Sequence, residues 1–499
     1  MTSNEPLILD DISHPPSSPE LVRAFGIGDL PTEILTLIFS TIHSSSRALS
    51  SPTTRTASDA VLRLSHVSST WRETCISVSS LWSHIRIIRG SSNEAKLIEL
   101  YLERSSPSLL TIDFFDDLAD VGSYSAESTR MIRTLFTSCG RWKEASFSAK
   151  AQSLEVLMQT LLSRDTNVPP SHPDPSRQFH FPFLEKLAFV HPLESQNRPF
   201  FDIFQSSSTP KLRALVIPHY TTFLPFAFTQ IYSLQLLKTN LVLLPPICTQ
   251  LIELTVGQTY GESNESIPSH AVATLELPRV ETLTVEYSGP GRLWSMLTLP
   301  SLRNLTLKTI TFMPLEYVAI LNMLRRAGCG LSMRRLILAG VNLRDADVES
   351  MLGLMPQLQE FVLKETLTRI LTPRLLTALT LSKMEYLTVE DAYSELGLQS
   401  TISVVPNLTR IELHMQHSPL KGRLDLLYRM LLSRSSIARS TNNHSMPGLL
   451  EEIHLCFMLD QDELSTQVLP VELQNWVNRL RETSASQIQS SMQWKRRKI

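Results

Sequence analysis

Glycine is scarce in this chain: there are 16 among 499 residues. Neither G-x-x-x-x-G-K-[ST] nor G-x-G-x-x-G occurs, which excludes the usual loops that cradle phosphates and dinucleotides. Zinc-type spacing is missing as well, with no C-x-x-C pair and no H-E-x-x-H. No serine sits in a G-x-S-x-G elbow. The five cysteines, Cys75, Cys139, Cys248, Cys329 and Cys456, are odd in number and far apart, as expected of reduced thiols in the cytoplasm or nucleus rather than of a disulfide framework. Charge of one sign is lacking too: 46 Lys and Arg face 48 Asp and Glu, and only 19% of residues are charged. No overall field draws nucleic acid or an anionic membrane. No apolar run approaches the ~20 residues that span a bilayer. The opening MTSNEPLILDDISHPPSSPE has no basic segment followed by an apolar run, so it is not expected to be a secretory signal.

What is present is apolar mass, 42% of the chain, enough for a large core spread over about two to four domains. Its densest expression lies between Leu30 and Trp82. In LPTEILTLIFSTI, Pro31 just inside a start and Glu33 in the first turn predict a helix. At about 100° per residue, Leu37, Ile34, Ile38, Ile42, Leu35 and Phe39 cover roughly 200° of that helix, whereas one core needs little more than 100°. About sixty residues cannot enclose it, so a following domain or another protein must cover the remainder. The second half, VLRLSHVSSTWRETC, repeats the theme, with Leu64, Val67, Trp71 and Cys75 on one helical stripe. Leu81 and Trp82 close the segment.

These residues resemble the F-box: an L-P-x-E-[IL]-[LI] first helix, an [LV]-x-x-V-x-x-x-W second helix and a closing L-W. The chain departs from that pattern in a Ser/Thr-rich insertion, Ser44 to Ser58, expected to be a surface loop, and in Ser68, where Cys is common. The resemblance implies a module that docks a Skp-family adaptor and, through it, a cullin-RING ubiquitin ligase. It carries over Leu30, Pro31, Ile34, Leu35, Ile38, Leu64, Val67, Trp71 and Trp82 as adaptor contacts.

Residues 1–26, rich in Ser, Pro and Asp, read as a disordered lead-in. After an F-box at 27–89, residues 90–150 read as two helix-and-strand pairs: Asn93 to Arg104 with Leu109 to Phe114, then Ser128 to Thr137 with Arg141 to Phe147. Over 151–463 a short strand recurs, written apolar-x-x-apolar-x-apolar, from Leu184/Leu187/Phe189 through Leu302/Leu305/Leu307 and Met384/Leu387/Val389 to Leu450/Ile453/Leu455. Most copies start about 20 to 30 residues apart, the spacing of leucine-rich repeats. Helical stretches fit between several of them: Glu316 to Ala327, Asp345 to Leu354 and Arg423 to Ser433. One strand and one helix cannot bury their apolar faces alone, but stacked neighbours share a core. No asparagine recurs after the last apolar position, so the repeats are degenerate. Residues 464–499 read as a capping helix, Pro470 to Glu482, followed by a solvated basic tail, Trp494 to Ile499.

The expected fold is therefore α/β, a small helical F-box followed by an irregular leucine-rich-repeat solenoid with a curved parallel sheet. Two groups resemble chemistry and are read otherwise: Cys329 lies in a turn entering a strand, and Asp113, Asp116, Asp117 and Asp120 match no calcium loop. On the open side of the repeat strands basic and acidic side chains interleave, which suits a polypeptide rather than a polyanion. Arg335, Lys364, Tyr386, Arg410 and His414 are the expected target contacts. The expected function is that of a non-catalytic receptor without cofactor or metal, an interaction scaffold outside any ligase being the alternative.

Overall fold

The computed structural model describes residues 30–49, 56–88, 94–116, 126–162, 179–191, 198–218, 224–238, 248–258, 274–286, 292–308, 317–365, 371–380, 405–416, 423–434, 450, 452–459 and 489–496. The chain divides into two compact units, Met1–Trp82 and Ser83–Ile499.

The first unit is helical: α1 (Thr32–Leu49), α2 (Thr56–Ser65), α3 (Ser69–Ser77) and a 3-10 turn, Ser79–Trp82. The Pro31 carbonyl accepts from the Ile34 and Leu35 N–H groups, which starts α1 where the proline predicts. Ser68, the departure from the family pattern, caps α3: its hydroxyl accepts from the Trp71 N–H at 3.2 Å. Leu35, Phe39, Val61, Leu64, Trp71, Cys75, Leu81 and Trp82 are buried. The Trp82 indole N–H donates to the Cys75 carbonyl at 2.7 Å, so the closing tryptophan is satisfied inside. The expected loop over Ser44 to Ser58 is overturned in part, because α1 runs on to Leu49 and α2 begins at Thr56. The hydroxyls of Thr41 and Ser44 bond back to the carbonyls of Leu37 and Ser40, so these polar side chains find their partners inside the helix.

The second unit is a parallel sheet with helices in its connections. Its strands are β1 (His84–Ile88), β2 (Leu110–Asp116), β3 (Trp142–Ala149), β4 (Lys186–Phe189), β5 (Ala214–Ile217), β6 (Ser233–Lys238), β7 (Glu253–Gln258), β8 (Leu275–Glu276), β9 (Thr282–Val285), β10 (Leu297–Thr298), β11 (Asn304–Lys308), β12 (Arg335–Ala339), β13 (Glu360–Lys364), β14 (Arg410–Gln416), β15 (Glu452–Leu459) and β16 (Gln489–Arg496). Its helices are α4 (Glu94–Arg104), α5 (Ala126–Thr137), α6 (Ala151–Leu162), α7 (Arg198–Asp202), α8 (Arg292–Met296), α9 (Tyr317–Ala327), α10 (Asp345–Leu352), α11 (Pro373–Leu379) and α12 (Arg423–Ser433). Among the described residues, every strand except the β8/β10 pair joins one 14-stranded sheet whose order follows the chain. Each parallel neighbour needs a crossover that returns the chain to the same end, which the connecting helices and turns supply.

The repeat register is regular: Leu254, Leu283, Leu305, Leu336, Phe361, Ile411 and Ile453 pair in one row across β7 to β15. Each of them is buried, so every strand adds one large apolar side chain to the same layer, worth about 2 kcal/mol apiece against exposure. Near β3 and β4 the core holds an aromatic cluster, where Trp142, Phe147, Phe181, Phe189, Phe200 and Phe204 meet through ring centroids 4.9 to 6.5 Å apart. Backbone bonds also zip the turns that enter the strands. Glu185, Arg213, Tyr232, Ile252, Glu281, Arg303, Arg334 and Gln359 each offer a carbonyl to two successive N–H groups of the next turn. Buried Arg434 ties the far side, donating to the carbonyls of Leu379 (2.6 Å) and Val405 (2.9 Å).

Three expected boundaries change. The sheet does not begin near residue 151, since β1 to β3 are its first strands and His84–Ile88 leaves the helical unit to join them. Alternating apolar positions in β1 and β2 already form the buried face of a strand. Second, β13 pairs directly with β14, and the copy expected at Met384/Leu387/Val389 lies outside the described residues. Third, the basic tail is not simply solvated: Gln489–Arg496 pairs with β15 as the last strand, Met492 and Trp494 falling two apart opposite Leu455 and Phe457. The lead-in at 1–26 and the helix at Pro470 to Glu482 lie outside the described residues.

Candidate docking surfaces

On α1, Leu35 and Phe39 turn inward and are fully buried, Phe39 packing on Trp71 with ring centroids 4.9 Å apart. That orientation turns Ile34 and Leu37 away from the core. Ile34, Leu37 and Ile42 are left 43%, 65% and 38% exposed, with Pro31 exposed and Leu30 and Ile38 half-buried. Val67, in the turn after α2, is 60% exposed. An uncovered aliphatic arc of this kind on one short helix costs solubility unless something binds it.

The nine residues carried over as adaptor contacts therefore divide. Pro31, Ile34 and Val67 stand at the surface, and Leu30 and Ile38 lie at its edge. Leu35, Leu64, Trp71 and Trp82 are in the core, where they hold the helices that present the arc. Leu37 and Ile42, outside those nine but within the same projection, at about 100° per residue, that defined the arc, are exposed as well.

On the sheet, register decides the electrostatics. Arg335, Glu360, Arg410 and Glu452 pair in one row across β12 to β15, alternating in sign. Arg335 meets Glu360 at 2.9 Å, and Arg410 lies 3.5 Å from Glu360 and 3.2 Å from Glu452. Lys364 meets Glu412 at 3.1 Å, and His414 hydrogen-bonds the same carboxylate at 2.6 Å. Four of the five expected target contacts, Arg335, Lys364, Arg410 and His414, thus share carboxylates within the sheet, and the fifth, Tyr386, lies outside the described residues. Burial pushes the Glu412 carboxyl up, but the hydrogen bonds from His414 and Lys364 outweigh it and hold it below the usual glutamate range. The bond from His454 does the same for Glu452.

The remaining groups are structural. Cys329 is buried at the start of a 3-10 turn, and burial pushes its thiol up to about 11, as it does for Cys75 and Cys248. A protonated, enclosed thiol is no nucleophile. Asp113 takes a 2.7 Å bond with His84, Asp116 is buried, and Asp117 and Asp120 lie outside the described residues. Among the described residues no group of three His, Cys, Asp or Glu is placed to hold a metal, and no helix is long and apolar enough to cross a membrane.

Comparison with curated proteins gives no match for this chain. Residues 27–88 match the F-box-like family model, so the chain carries an F-box-like domain, a module that as a class binds Skp-family adaptors within cullin-RING ligases.

Proposed function

We propose that this protein is the substrate-recognition subunit of an SCF-type cullin-RING ubiquitin ligase. Its F-box-like domain docks a Skp-family adaptor through the outward arc of α1, and its sheet, a degenerate leucine-rich-repeat solenoid, holds a protein target. The protein itself is non-catalytic: it raises the local concentration of the target's lysines beside the transferred ubiquitin, which acts through proximity alone. The observation that carries the reading is the aliphatic arc Ile34, Leu37 and Ile42, exposed beside a finished core within the matched residues. A docking helix needs such leftover surface, and burying it on a partner returns the transfer free energy that folding left unused.

The test is co-purification of adaptor and cullin with the full chain and with Leu37→Asp. The intact chain brings down both, and the variant loses both while its melting temperature stays the same. Capture of neither by the intact chain rejects the reading. Capture of the adaptor without a cullin supports a scaffold outside the ligase.

A further inference from the structure

The charges of β12 to β15 are mutually neutralised, but those at the opposite end of the strand-entry rim are not. Phe183, Lys211, Arg213 and Tyr232 lie in the successive turns that enter β4, β5 and β6. The Lys211 ammonium rests 4.6 Å from the Phe183 ring centroid, and the Arg213 guanidinium lies 5.5 Å from that of Tyr232. Neither cation forms an ion pair with a carboxylate among the described residues. A ring face attracts a cation without cancelling its charge, so both remain electrostatically available.

These two cations open onto one cavity of about 580 Å³, lined by Glu144, Glu185, Lys186, Lys211, Arg213 and Ala214. Its lining holds three cations, Lys186, Lys211 and Arg213, against two carboxylates, and Lys143, outside the lining, approaches one of these, Glu185, at 3.8 Å. The backbone beneath is fixed: the Glu185 carbonyl accepts from the N–H groups of both Arg213 and Ala214 at 2.9 Å, and the Arg213 carbonyl from those of Tyr232 and Ser233. A concave, preorganised and net positive site selects an anion.

We infer that this cavity docks an acidic segment of a protein partner, with carboxylate side chains meeting Lys211 and Arg213. The two cations sit on separate rings rather than converging on one point, which fits two monoanions better than one phosphate dianion. Glu144 and Glu185 in the same cavity oppose a polyanion such as nucleic acid, whose charge continues in both directions. The inference rests on the receptor reading for the identity of the segment as part of the target, but its binding test involves no adaptor.

The test uses an array of synthetic heptapeptides carrying two Glu at every spacing, each beside its Gln counterpart and a phosphoserine version, probed with the full-length protein. The expected result is binding of some Glu pairs about tenfold above their Gln counterparts, the scale of one charge-assisted contact. Lys211→Glu with Arg213→Glu abolishes that preference, Lys211→Gln with Arg213→Gln reduces it, and Lys150→Glu outside the cavity leaves it intact, all at an unchanged melting temperature. Equal binding of Glu and Gln peptides, no binding of any Glu peptide, or a preference that survives charge reversal overturns the proposal. So does displacement of the Glu peptides by phosphoserine peptides or by single-stranded DNA at lower concentration, which marks a phosphate site. Failure here with adaptor capture intact leaves the ligase reading standing.

Discussion

Phe39 packs on Trp71 with ring centroids 4.9 Å apart, and this contact decides which way the first helix faces. Residues three and four apart on a helix share a face, so turning Phe39 and Leu35 inward turns Ile34 and Leu37 outward, while Ile42, on the Phe39 side, is exposed one turn further along. The core-forming and the exposed apolar residues of the F-box-like unit are thereby separated along one helix.

That separation predicts opposite outcomes for adjacent substitutions. Trp71→Ala opens a cavity beneath Phe39 and lowers unfolding free energy by about 3–5 kcal/mol, whereas Leu37→Ser changes it by less than ~0.5 kcal/mol. Urea denaturation followed by tryptophan fluorescence and by circular dichroism reads both. A large loss for Leu37→Ser means that this side chain is core.

Glu360 is placed between Arg335 and Arg410, so one neutralisation, Glu360→Gln, breaks two contacts at once. The arginines are well exposed and solvent screens the pairs, which limits the expected destabilisation to about 1 kcal/mol. A double-mutant cycle with Arg335→Met isolates the 2.9 Å pair. Strict additivity of the two substitutions contradicts an energetic role for the row.

Acid weakens the last strands of the sheet. The carboxyls of Glu412 and Glu452 titrate lower when folded than when unfolded, so each stabilises the sheet above the unfolded value of about 4.3 and loses that contribution as pH falls through its folded value. The urea midpoint measured from pH 7 down to pH 3 drops below about pH 4.5, and drops less in Glu412→Gln with Glu452→Gln. Parallel curves for the two proteins remove these glutamates from the account.

All five cysteines are buried and outside any disulfide. With the thiols of Cys75, Cys248 and Cys329 pushed up to about 11, a thiol-specific reagent at pH 8 reacts slowly with the folded protein and with all five sites in denaturant. Rapid labelling of Cys329 in the native state points instead to a reactive site there.

Periodicity located the helices Glu94–Arg104, Tyr317–Ala327 and Arg423–Ser433 within a residue at each end, because each carries an apolar stripe with clear flanks. It also located the recurring strands β4 to β7, β9 and β11 to β15, while the copy at Met384/Leu387/Val389 lies outside the described residues. It missed β1 and β16, whose short alternations become strands only because a neighbouring strand pairs with them. It read Ser44 to Ser58 as a loop, since a polar stretch whose hydroxyls, like that of Ser44, bond within the helix leaves no trace in hydropathy. For the sheet face, the sequence holds the charges but not their partners. Arg335 and Glu360 are 25 positions apart and become neighbours only through the strand register.

The sequence by itself determined the F-box-like segment, the excess of apolar surface on its first helix, the repeating strand and the absence of recognisable catalytic or phosphate-binding motifs, because these reside in local order and spacing. Only the tertiary structure decided which members of that apolar set face out, which charges neutralise one another and where cations stay open. Those outcomes depend on residues distant in the chain arriving at the same place, a matter of packing and register that local composition does not encode.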